Sequence, residues 1–558
     1  MTPRQLEGRL SVLPQIQPED LTELAAQGFR SIVSNRPDNE APDQPSSAAF
    51  QSAAEALGLH YAHLPVVGSA ISDQDIGRFG TLLDTLPGPI LAFCRTGTRS
   101  TTLWALSQAR FRPVAQLLET AAGAGYDLSG QALRMAEIAS TDLADEPTFD
   151  VVIIGGGSGG LAVAASLLRR KSGLRICLIE PRQEHYYQPG WTMVGAGVFN
   201  AEQTMRPMAT LVPTCIDWRH APAEAIDAPN HRVHLAGAGA VRYRALVVAT
   251  GLELDWEAIP GLSEALGRNG VTSNYRFDLA PYTWDLVQGL RGGTALFTQP
   301  PMPIKCAGAP QKAMYLSADH WRRAGVLGDV DIAFHSAGPA LFGVADYVPA
   351  LMEYVERYGI ALNFGSTLVA VDGAAKVATF ASQDTAGVRT ESSRAYDMLH
   401  VAPPQRAPRL IADSGLANAA GWLDVDPGTL RHAAYADIFG VGDVVGTTNA
   451  KTAAAARKHA PVVAENVLST LAGTPLAAMY DGYGSCPLTV ERGKIVLAEF
   501  GYGGKLMPTF PTWLIDGRRP SRLAWHLKSE ALPNLYWNAM LKGREWLCAP
   551  GRVPPGAV

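Results

Sequence analysis

The run DVVIIGGGSGGLAVAASLLRR, which begins at Asp150, constrains the fold more than any other part of the sequence. It reads as an apolar strand, a tight turn with glycines at Gly155, Gly157 and Gly160, and an amphipathic helix. The first glycine makes the turn, the second lets the backbone approach a pyrophosphate, and the third lets the helix pack against the strand. The helix then points its free N–H groups at the phosphates. The pattern predicts a Rossmann-like α/β domain that binds a dinucleotide.

A second apolar strand, LRICLIE, ends at Glu180, twenty residues after Gly160, where a carboxylate can bind a ribose 2′-hydroxyl. Two later motifs are LVVATG, which ends at Gly251, and GVGD, which is expected to place Asp443 at a helix start facing a ribityl hydroxyl. In this order the three motifs resemble two-dinucleotide flavoproteins such as glutathione reductase, and the resemblance implies FAD. We expect further cofactor contacts from Ser158, Gly159, Pro181, Thr250, Gly442 and Lys451. Lys451 is expected to stabilise reduced, anionic flavin.

The second dinucleotide fingerprint expected of a nicotinamide-binding member is missing. The candidate strand GTALFTQ is followed by PPMPIKCAGAPQKAMYL, with prolines and Cys306 in place of a glycine turn. Proline has no N–H to offer a phosphate, so we predict that this domain does not bind NAD(P)H. Cys306 then occupies the loop that faces the flavin. Its neighbour Lys305 and the helix that follows both favour a thiolate.

The chain has six cysteines: Cys94, Cys177, Cys215, Cys306, Cys486 and Cys548. None of them forms the close CxxC or CxxxxC pair of disulfide reductases, since Cys486 lies 180 residues beyond Cys306. Two unrelated core cysteines are one interpretation of these residues. The alternative is a redox pair, because Cys306 replaces the nicotinamide loop and Cys486 begins the segment that must pack back over the flavin. The absence of a secretory signal or long apolar span leads us to expect a reducing compartment, where a cysteine pair is more often redox-active than structural.

Several longer blocks, among them EPRQEHYYQPGWTMVGAG, PIKCAGAPQKAMYLS and YDGYGSCPLTVERGKIVLAEF, resemble mitochondrial-type sulfide:quinone oxidoreductases over about residues 148–545. The resemblance implies a membrane-associated FAD enzyme that oxidises hydrosulfide through Cys306 and Cys486 and reduces a quinone. It also implies that Cys486 carries the persulfide, that Cys306 faces the flavin and that Gln188 lines the cofactor. The sulfur is expected to pass to a small thiol such as glutathione, or to sulfite.

The C-terminal residues 521–548 are the expected membrane contact, on the cytoplasmic side of the inner membrane. One helical face of this segment is apolar, with Leu532, Leu535, Tyr536, Ala539, Met540 and Leu547. Trp525, Trp537 and Trp546, together with an excess of basic residues from Asp516 onward, suit an anionic interface. The alternative is a helix docked on the protein's own core, since periodicity does not reveal what covers a face.

Near the N-terminus, GPILAFCRTGTRSTTLWALS reads as a strand, a loop from Cys94 to Arg99 and a helix. Backbone N–H groups of such a loop form an anion nest that activates the thiol. Four residues separate the cysteine from the arginine, which resembles rhodaneses, whereas tyrosine phosphatases have five. The surrounding sequence resembles a small phosphatase-like family. We therefore interpret Cys94 and Arg99 as sulfurtransferase residues, with a phosphatase or a structural cysteine as alternatives.

A chain of 558 residues is too long to fold around a single hydrophobic core, so several domains are expected. We expect a phosphatase/rhodanese-like domain at 1–112, a helical linker at 113–147 and an FAD-dependent core at 148–475, followed by a redox-cysteine and membrane-binding segment at 476–558. The FAD-binding parts of the core are 148–290 and 395–475, and a second Rossmann-like domain is inserted at 291–394. The net charge of −5 argues against a nucleic-acid partner. Two rival functions are a type II NADH:quinone oxidoreductase with a phosphatase domain and a flavin-bearing sulfide sensor. We predict no metal site. A homodimer is left open.

Overall fold

The computed structural model describes residues 2–68, 70–109, 112–141, 146–237, 239–383, 388–448 and 450–553. The chain divides into two compact units. The first consists of Met1–Pro147 with Glu224–Arg242, and the second of Thr148–Ala223 with Tyr243–Val558. The predicted α/β class is confirmed in both units.

The first unit is built on one five-stranded sheet of order β1-β2-β5-β3-β4. Its strands are β1 (Arg4–Glu7), β2 (Leu10–Leu13), β3 (Ser31–Ser34), β4 (His60–His63) and β5 (Ile90–Phe93). Its helices are α1 (Leu21–Ala26), α2 (Ser47–Ala56), α3 (Asp73–Thr85), α4 (Thr98–Gln108), α5 (Val114–Gly123) and α6 (Ala132–Thr141). Strand β5 is fully buried and pairs in parallel with β2 and β3. Because ligand sites form at the carboxyl ends of parallel strands, Cys94, directly after β5, lies at the edge where a site is expected.

Residues 113–147, expected to be a connector, contribute to the core of this unit. Helices α5 and α6 both pack against α4. Their segment adds five buried side chains to the cluster around Trp104, namely Leu117, Ala121, Tyr126, Leu128 and Met135. This segment is therefore part of the folded first unit.

In the second unit, the predicted dinucleotide strand and helix are β6 (Thr148–Ile154) and α7 (Ser158–Arg170). The elements that follow in this unit are β7 (Ile176–Ile179), β8 (Glu184–Tyr186), α8 (Trp191–Val194), β9 (Met205–Pro207) and β10 (Asp217–Arg219). The chain then forms β11 (Ala223–Asp227) and β12 (Arg232–Leu235), which belong to the first unit apart from Ala223. It returns to the second unit within β13 (Ala240–Val248) and continues through β14 (Glu253–Leu254), α9 (Leu262–Ala265), β15 (Val271–Thr272) and α10 (Ala280–Gly289). The pairs β10–β7 and β7–β6 are parallel. Strand β13 continues this sheet beside β6.

The inserted α/β part begins with β16 (Gly293–Gln299) and α11 (Ala309–Arg323). It continues through β17 (Val330–Ser336), α12 (Val348–Tyr358), β18 (Ala361–Phe364), β19 (Ser366–Asp372), β20 (Val377–Gln383), β21 (Arg389–Ala395) and β22 (Met398–His400). The sheet β15-β22-β16-β17-β18 is parallel throughout, and β19-β20-β21 is antiparallel. A second Rossmann-like sheet is thus present, as the sequence predicts.

The last part of the chain contains β23 (Gln405–Arg406), α13 (Arg409–Asp413), β24 (Ile438–Gly440), α14 (Ala453–Ala472), β25 (Ala478–Met479), β26 (Gly484–Glu491), β27 (Lys494–Phe500), α15 (Arg522–His526), α16 (Leu532–Asn538) and β28 (Gly551–Arg552). Strand β24 pairs in parallel with β13 and is the last strand in sequence to join this sheet. Strands β26 and β27 form an antiparallel hairpin that packs on α11. Buried side chains of both hairpin strands share a core cluster with Phe297 and Trp321, so the hairpin is fixed against the inserted domain.

Candidate active site

The glycine turn after β6 has the geometry of a dinucleotide-binding turn. Gly155 has a φ of +102°, and a Cβ there would lie 2.5 Å from the carbonyl oxygen of Ala249. A side chain at Gly160 would collide with the Gly155 carbonyl. At Gly157, by contrast, a Cβ would meet no atom within 4 Å, so the backbone there borders open space. The three glycines therefore serve turn, packing and close approach, as the fingerprint requires.

The acidic residue of the fingerprint is held at the end of β7. The Glu180 carboxylate accepts hydrogen bonds from the backbone N–H groups of Gly156, at 2.8 Å, and Arg182, at 2.9 Å. The buried Thr250 hydroxyl oxygen has no hydrogen-bond partner among the residues that the structure describes. An unpaired buried hydroxyl and an open glycine turn fit a bound dinucleotide. Pro181 is exposed beside them.

Asp443 differs from its expected position. It lies in a short 3₁₀ turn, Gly442–Val444, and the long helix α14 begins only at Ala453, because the Thr452 side chain caps it by accepting from the Ala455 N–H. The Lys451 ammonium donates to the backbone carbonyls of Asp443, at 2.7 Å, and Val445, at 2.9 Å. Burial lowers the pKa of Lys451 to about 8, against the opposing effect of Asp443, and burial raises the pKa of Asp443.

The proline-rich loop that contains Cys306 contacts these flavin motifs directly. The Cys306 N–H donates to the Lys451 carbonyl oxygen at 2.8 Å, and the Lys305 ammonium donates to Gln188 Oε1 at 2.6 Å. The Tyr275 hydroxyl donates to the carbonyl oxygens of Lys305 and Cys306, at 3.1 and 3.3 Å. Cys306 has a φ of +48°, a strained conformation for a residue with a side chain, of the kind found at functional sites. These contacts hold the cysteine beside Gln188 and Lys451.

The hairpin β26–β27 brings Cys486 to the same place. Cys486 lies in β26 opposite Ala498, and it is buried. A Cβ at Gly308 would lie 2.5 Å from the Cys486 sulfur, so the absence of a side chain at Gly308 lets the loop approach this cysteine. Cys306 packs against the core cluster that contains Cys486, and neither cysteine is in a disulfide. Two cysteines far apart in sequence are therefore neighbours in the fold.

The two thiols have opposite proton affinities. The hydrogen bond from Cys486 holds the pKa of Cys306 well below its usual value; burial opposes this effect, and the ammonium of Lys312, 3.0 Å from the sulfur, adds to it. Cys486 donates that hydrogen bond and is buried, so its pKa is raised. Cys306 is therefore the thiolate and Cys486 the thiol of the reduced pair.

Two buried lysines of this site are not among the residues predicted from the sequence. Lys312 lies in the first turn of α11, six residues after Cys306, a spacing that could have indicated its position. Burial works against its charge, but the neighbouring thiolate raises the pKa of Lys312. Lys528 comes from the segment between α15 and α16, and burial together with Lys312 lowers its pKa to about 7. No local pattern marks Lys528, because only the tertiary fold brings it near the cysteines.

The apolar face predicted for membrane contact packs mostly on the protein itself. Tyr536, Ala539 and Met540 are buried. The Tyr536 hydroxyl is 2.6 Å from His185 Nε2, and His185 Nδ1 is 3.1 Å from the carbonyl oxygen of Gly156. For these three residues the structure matches the alternative of a docked helix. Leu532 and Leu535 of the predicted face are half-buried, and Leu547 is 70% exposed. Within the described parts of the chain, no helix is both long and apolar enough to cross a bilayer.

In the first unit, Cys94 and Arg99 form the predicted loop. The Gly97 N–H donates to the Cys94 sulfur at 3.2 Å, and Gly97 has a left-handed conformation with a φ of +89°. Arg99 donates to Glu40 Oε2 and to the Val66 carbonyl oxygen, both at 2.8 Å. Although burial opposes it, the charges of Glu40 and Cys94 raise the pKa of Arg99, so a guanidinium remains beside the thiol.

Comparison with known proteins supports both halves of this description. The sequence model of the pyridine nucleotide-disulphide oxidoreductase family matches residues 149–282, and that of the phosphatase-like domain of beta-lactamase hydrolase-like protein matches residues 3–111. The fold and site thus define a flavoprotein oxidoreductase of the two-dinucleotide class, with a phosphatase-like N-terminal domain.

The particular family follows from closer relatives. The mitochondrial sulfide:quinone oxidoreductase of Dictyostelium discoideum is 39% identical over 398 residues, which are 71% of this chain and 86% of the relative. The chain belongs to the sulfide:quinone oxidoreductase family. The structure of the enzyme from Aquifex aeolicus has the same fold, with a TM-score of 0.61 at 20% identity over 73% of this chain and 97% of that one. The beta-lactamase hydrolase-like protein of Agrobacterium fabrum is 42% identical over 101 residues, 18% of this chain but only 23% of the relative.

Proposed function

We propose that this protein is a sulfide:quinone oxidoreductase that oxidises hydrosulfide with Cys306, Cys486 and FAD. The observation that carries the proposal is that Cys486 of β26 packs beside Cys306, whose loop is hydrogen-bonded to the flavin motif at Lys451. Family membership supports sulfide and quinone as the substrates.

FAD is the cofactor that the dinucleotide motifs and the family support. The residues proposed to hold it are Gly155, Gly157, Ser158, Gly159, Gly160, Glu180, Pro181, Gln188, Thr250, Gly251, Gly442, Asp443 and Lys451. When bound, FAD accepts the electron pair from the cysteine site and passes it to the quinone. The protein supplies placement, through the glycine turn, and positive charge, through Lys305 and Lys451.

The charges around the cysteine pair indicate how the oxidised pair reacts. In a disulfide between Cys306 and Cys486, the sulfur with the lower thiol pKa is the better leaving group. Hydrosulfide therefore attacks Cys486, the Cys306–Cys486 bond breaks, and Cys306 departs with the electron pair as a thiolate beside Lys312. Cys486 is left with a persulfide. Its outer sulfur passes to a small acceptor, glutathione or sulfite, and Cys486 is released as a thiolate. Transfer of one electron pair from the two thiolates to bound FAD would then re-form the Cys306–Cys486 disulfide.

The proposal predicts that anaerobic hydrosulfide bleaches the flavin absorbance and that NADH does not. The loop Pro300–Gly308 offers no glycine turn for a nicotinamide pyrophosphate, and this favours sulfide over NADH as the reductant. Cys306→Ser and Cys486→Ser should each lower sulfide-dependent decylubiquinone reduction at least 100-fold, because neither retains a disulfide to attack. The matched control is Cys215→Ser, an exposed cysteine outside the site. Bleaching by NADH in place of sulfide would favour the NADH:quinone oxidoreductase.

For the first unit we propose a sulfurtransferase activity centred on Cys94. The support is a buried thiol that accepts a backbone N–H at a helix N-terminus, with Arg99 beside it. Arg99 forms an ion pair with the carboxylate of Glu40, whose pKa is held low by Arg99, with Arg36 contributing. An ionised Glu40 cannot serve as the general acid that a phosphatase would need for its leaving group.

Cys94→Ser is expected to leave sulfide:quinone turnover within about twofold of the parent, since the flavin site retains all of its residues. The same variant should lose thiosulfate:thiol sulfur transfer, measured as persulfide formed per minute. Transfer at the parental rate would refute the role of Cys94. Hydrolysis of p-nitrophenyl phosphate by the parent, lost in the variant, would identify the domain as a phosphatase instead.

We further propose that an exposed apolar surface near α15 docks on an anionic membrane. Trp513, Leu514 and Leu523 have 83%, 43% and 47% of their surface exposed. They flank Ile515 and Ala524, which pack together in one cluster, so the exposed side chains lie close to each other. Three arginines, at positions 518, 519 and 522, lie between them in the sequence, and Asp516 forms ion pairs with Arg518 and Arg519. An enzyme that reduces a quinone dissolved in lipid requires such a contact with the membrane. Location on the cytoplasmic side of the inner membrane stays a prediction from the sequence, and the homodimer stays an open alternative.

Replacing Trp513, Leu514 and Leu523 together with serine should weaken binding to phosphatidylglycerol vesicles at least tenfold, because burial of one large apolar side chain is worth about 1.5–3 kcal/mol. Vesicle co-sedimentation measures this. The matched control is Leu133→Ser, an exposed leucine of the first unit, 81% accessible. Equal binding of the triple variant and the control would place the lipid contact elsewhere.

A further inference from the structure

Tyr126 lies over the Cys94 loop, although it comes from the segment between α5 and α6. Its side chain is buried, with 5% of the residue exposed. A side chain at Gly97 would collide with the Tyr126 hydroxyl, so this hydroxyl rests directly on the loop that holds the Cys94 sulfur. The phosphatase-like family match ends at residue 111, which means that this chain adds Tyr126 from outside the matched domain.

The Tyr126 hydroxyl has no hydrogen-bond partner among the residues that the structure describes. The guanidinium of Arg4 stands over the Tyr126 ring at 5.0 Å, and its hydrogen bond of normal geometry goes to the Ala124 carbonyl oxygen. Burial raises the pKa of Tyr126, Arg4 opposes the shift, and negative charge on Cys94 adds to it. The hydroxyl therefore stays protonated. A buried hydroxyl without a hydrogen-bond partner destabilises the fold. The presence of one beside Cys94 therefore indicates that a bound ligand forms the missing hydrogen bond.

Three groups that can donate hydrogen bonds lie at or beside the loop that holds the Cys94 sulfur. The Gly97 N–H already donates to it, and Arg99 is close enough for its charge to interact with the thiol. Tyr126 is the third, and its electrostatic interaction with Cys94 places it within the same site. A persulfide carries its negative charge on the outer sulfur, one atom beyond Sγ. The Tyr126 hydroxyl does not donate to the Cys94 thiol, so it is free to donate a hydrogen bond to the outer sulfur of a persulfide.

We propose that the Tyr126 hydroxyl is a catalytic residue of sulfur transfer, which donates a hydrogen bond to the outer sulfur of the Cys94 persulfide. The inference rests on the sulfurtransferase activity proposed above. In the loading step, the Cys94 thiolate attacks the outer sulfur of thiosulfate, a new S–S bond forms, and sulfite leaves with the electron pair of the broken bond. In the unloading step, an acceptor nucleophile takes the outer sulfur and Cys94 departs as a thiolate. No external oxidant is consumed.

The test is Tyr126→Phe in the full-length protein, with thiosulfate as donor and cyanide as acceptor. The rate is thiocyanate formation above the background of Cys94→Ser. We expect kcat/KM for thiosulfate to fall about 10- to 100-fold, because the variant lacks one hydrogen bond to a charged sulfur. The thermal midpoint should stay the same or rise, since the buried hydroxyl that is removed has no hydrogen-bond partner among the described residues.

Tyr61→Phe is the matched control. Its hydroxyl is also buried in the first unit, but the groups that perturb it are Ser34 and Asp38, not Cys94. This variant should transfer sulfur at the parental rate.

Each other outcome overturns the inference in a distinguishable way. If the parent transfers no sulfur above the Cys94→Ser background, the sulfurtransferase proposal fails and the role of Tyr126 with it. If the parent is active and Tyr126→Phe matches it, the sulfurtransferase stands and Tyr126 has no catalytic role. If activity and thermal midpoint fall together, the hydroxyl is structural.

Discussion

The buried contact among Cys306, Cys486 and Lys312 is the interaction on which the rest of the site depends. A charge in a dry interior is costly unless it is paired, and here the thiolate of Cys306 is paired with an ammonium 3.0 Å away and a thiol hydrogen bond. In the proposed mechanism, this asymmetry makes Cys306 the leaving group and Cys486 the sulfur carrier. The contact between Cys306 and Cys486 also requires the hairpin β26–β27 to lie against α11, because that packing brings together two residues 180 positions apart in the sequence.

The C-terminal segment completes this site and docks on the dinucleotide turn at the same time. It carries Lys528 into the neighbourhood of the cysteines, and farther along Tyr536 contacts His185, which in turn contacts Gly156. A buried lysine with a pKa lowered to about 7 destabilises the fold, so Lys528 is expected at this position for its charge rather than for packing. Apolar residues that remain exposed include Trp546 and Leu547 of the same segment, at 65% and 70%, and Trp513, Leu514 and Leu523 near α15.

Local patterns predicted local structure, and the rest needed the tertiary fold. The turn at Gly155 and the loop of Cys94 were predictable because a few adjacent residues determine each of them. The proximity of Cys306 and Cys486 was inferred from the resemblance, whereas Lys528 had no signal at all. Asp443 was expected at a helix start, but the cap at Thr452 starts the helix later. For Tyr536, periodicity identified an apolar face and could not reveal that the protein's own core covers it.

The most direct test of the central claim is non-reducing peptide mass spectrometry of the enzyme before and after anaerobic hydrosulfide. The account predicts that the oxidised enzyme yields a peptide in which Cys306 and Cys486 are cross-linked through sulfur. Addition of hydrosulfide should remove the cross-link and place a persulfide on Cys486. Oxidised enzyme in which both cysteines are unlinked, yet which turns over sulfide at the full rate, would contradict it.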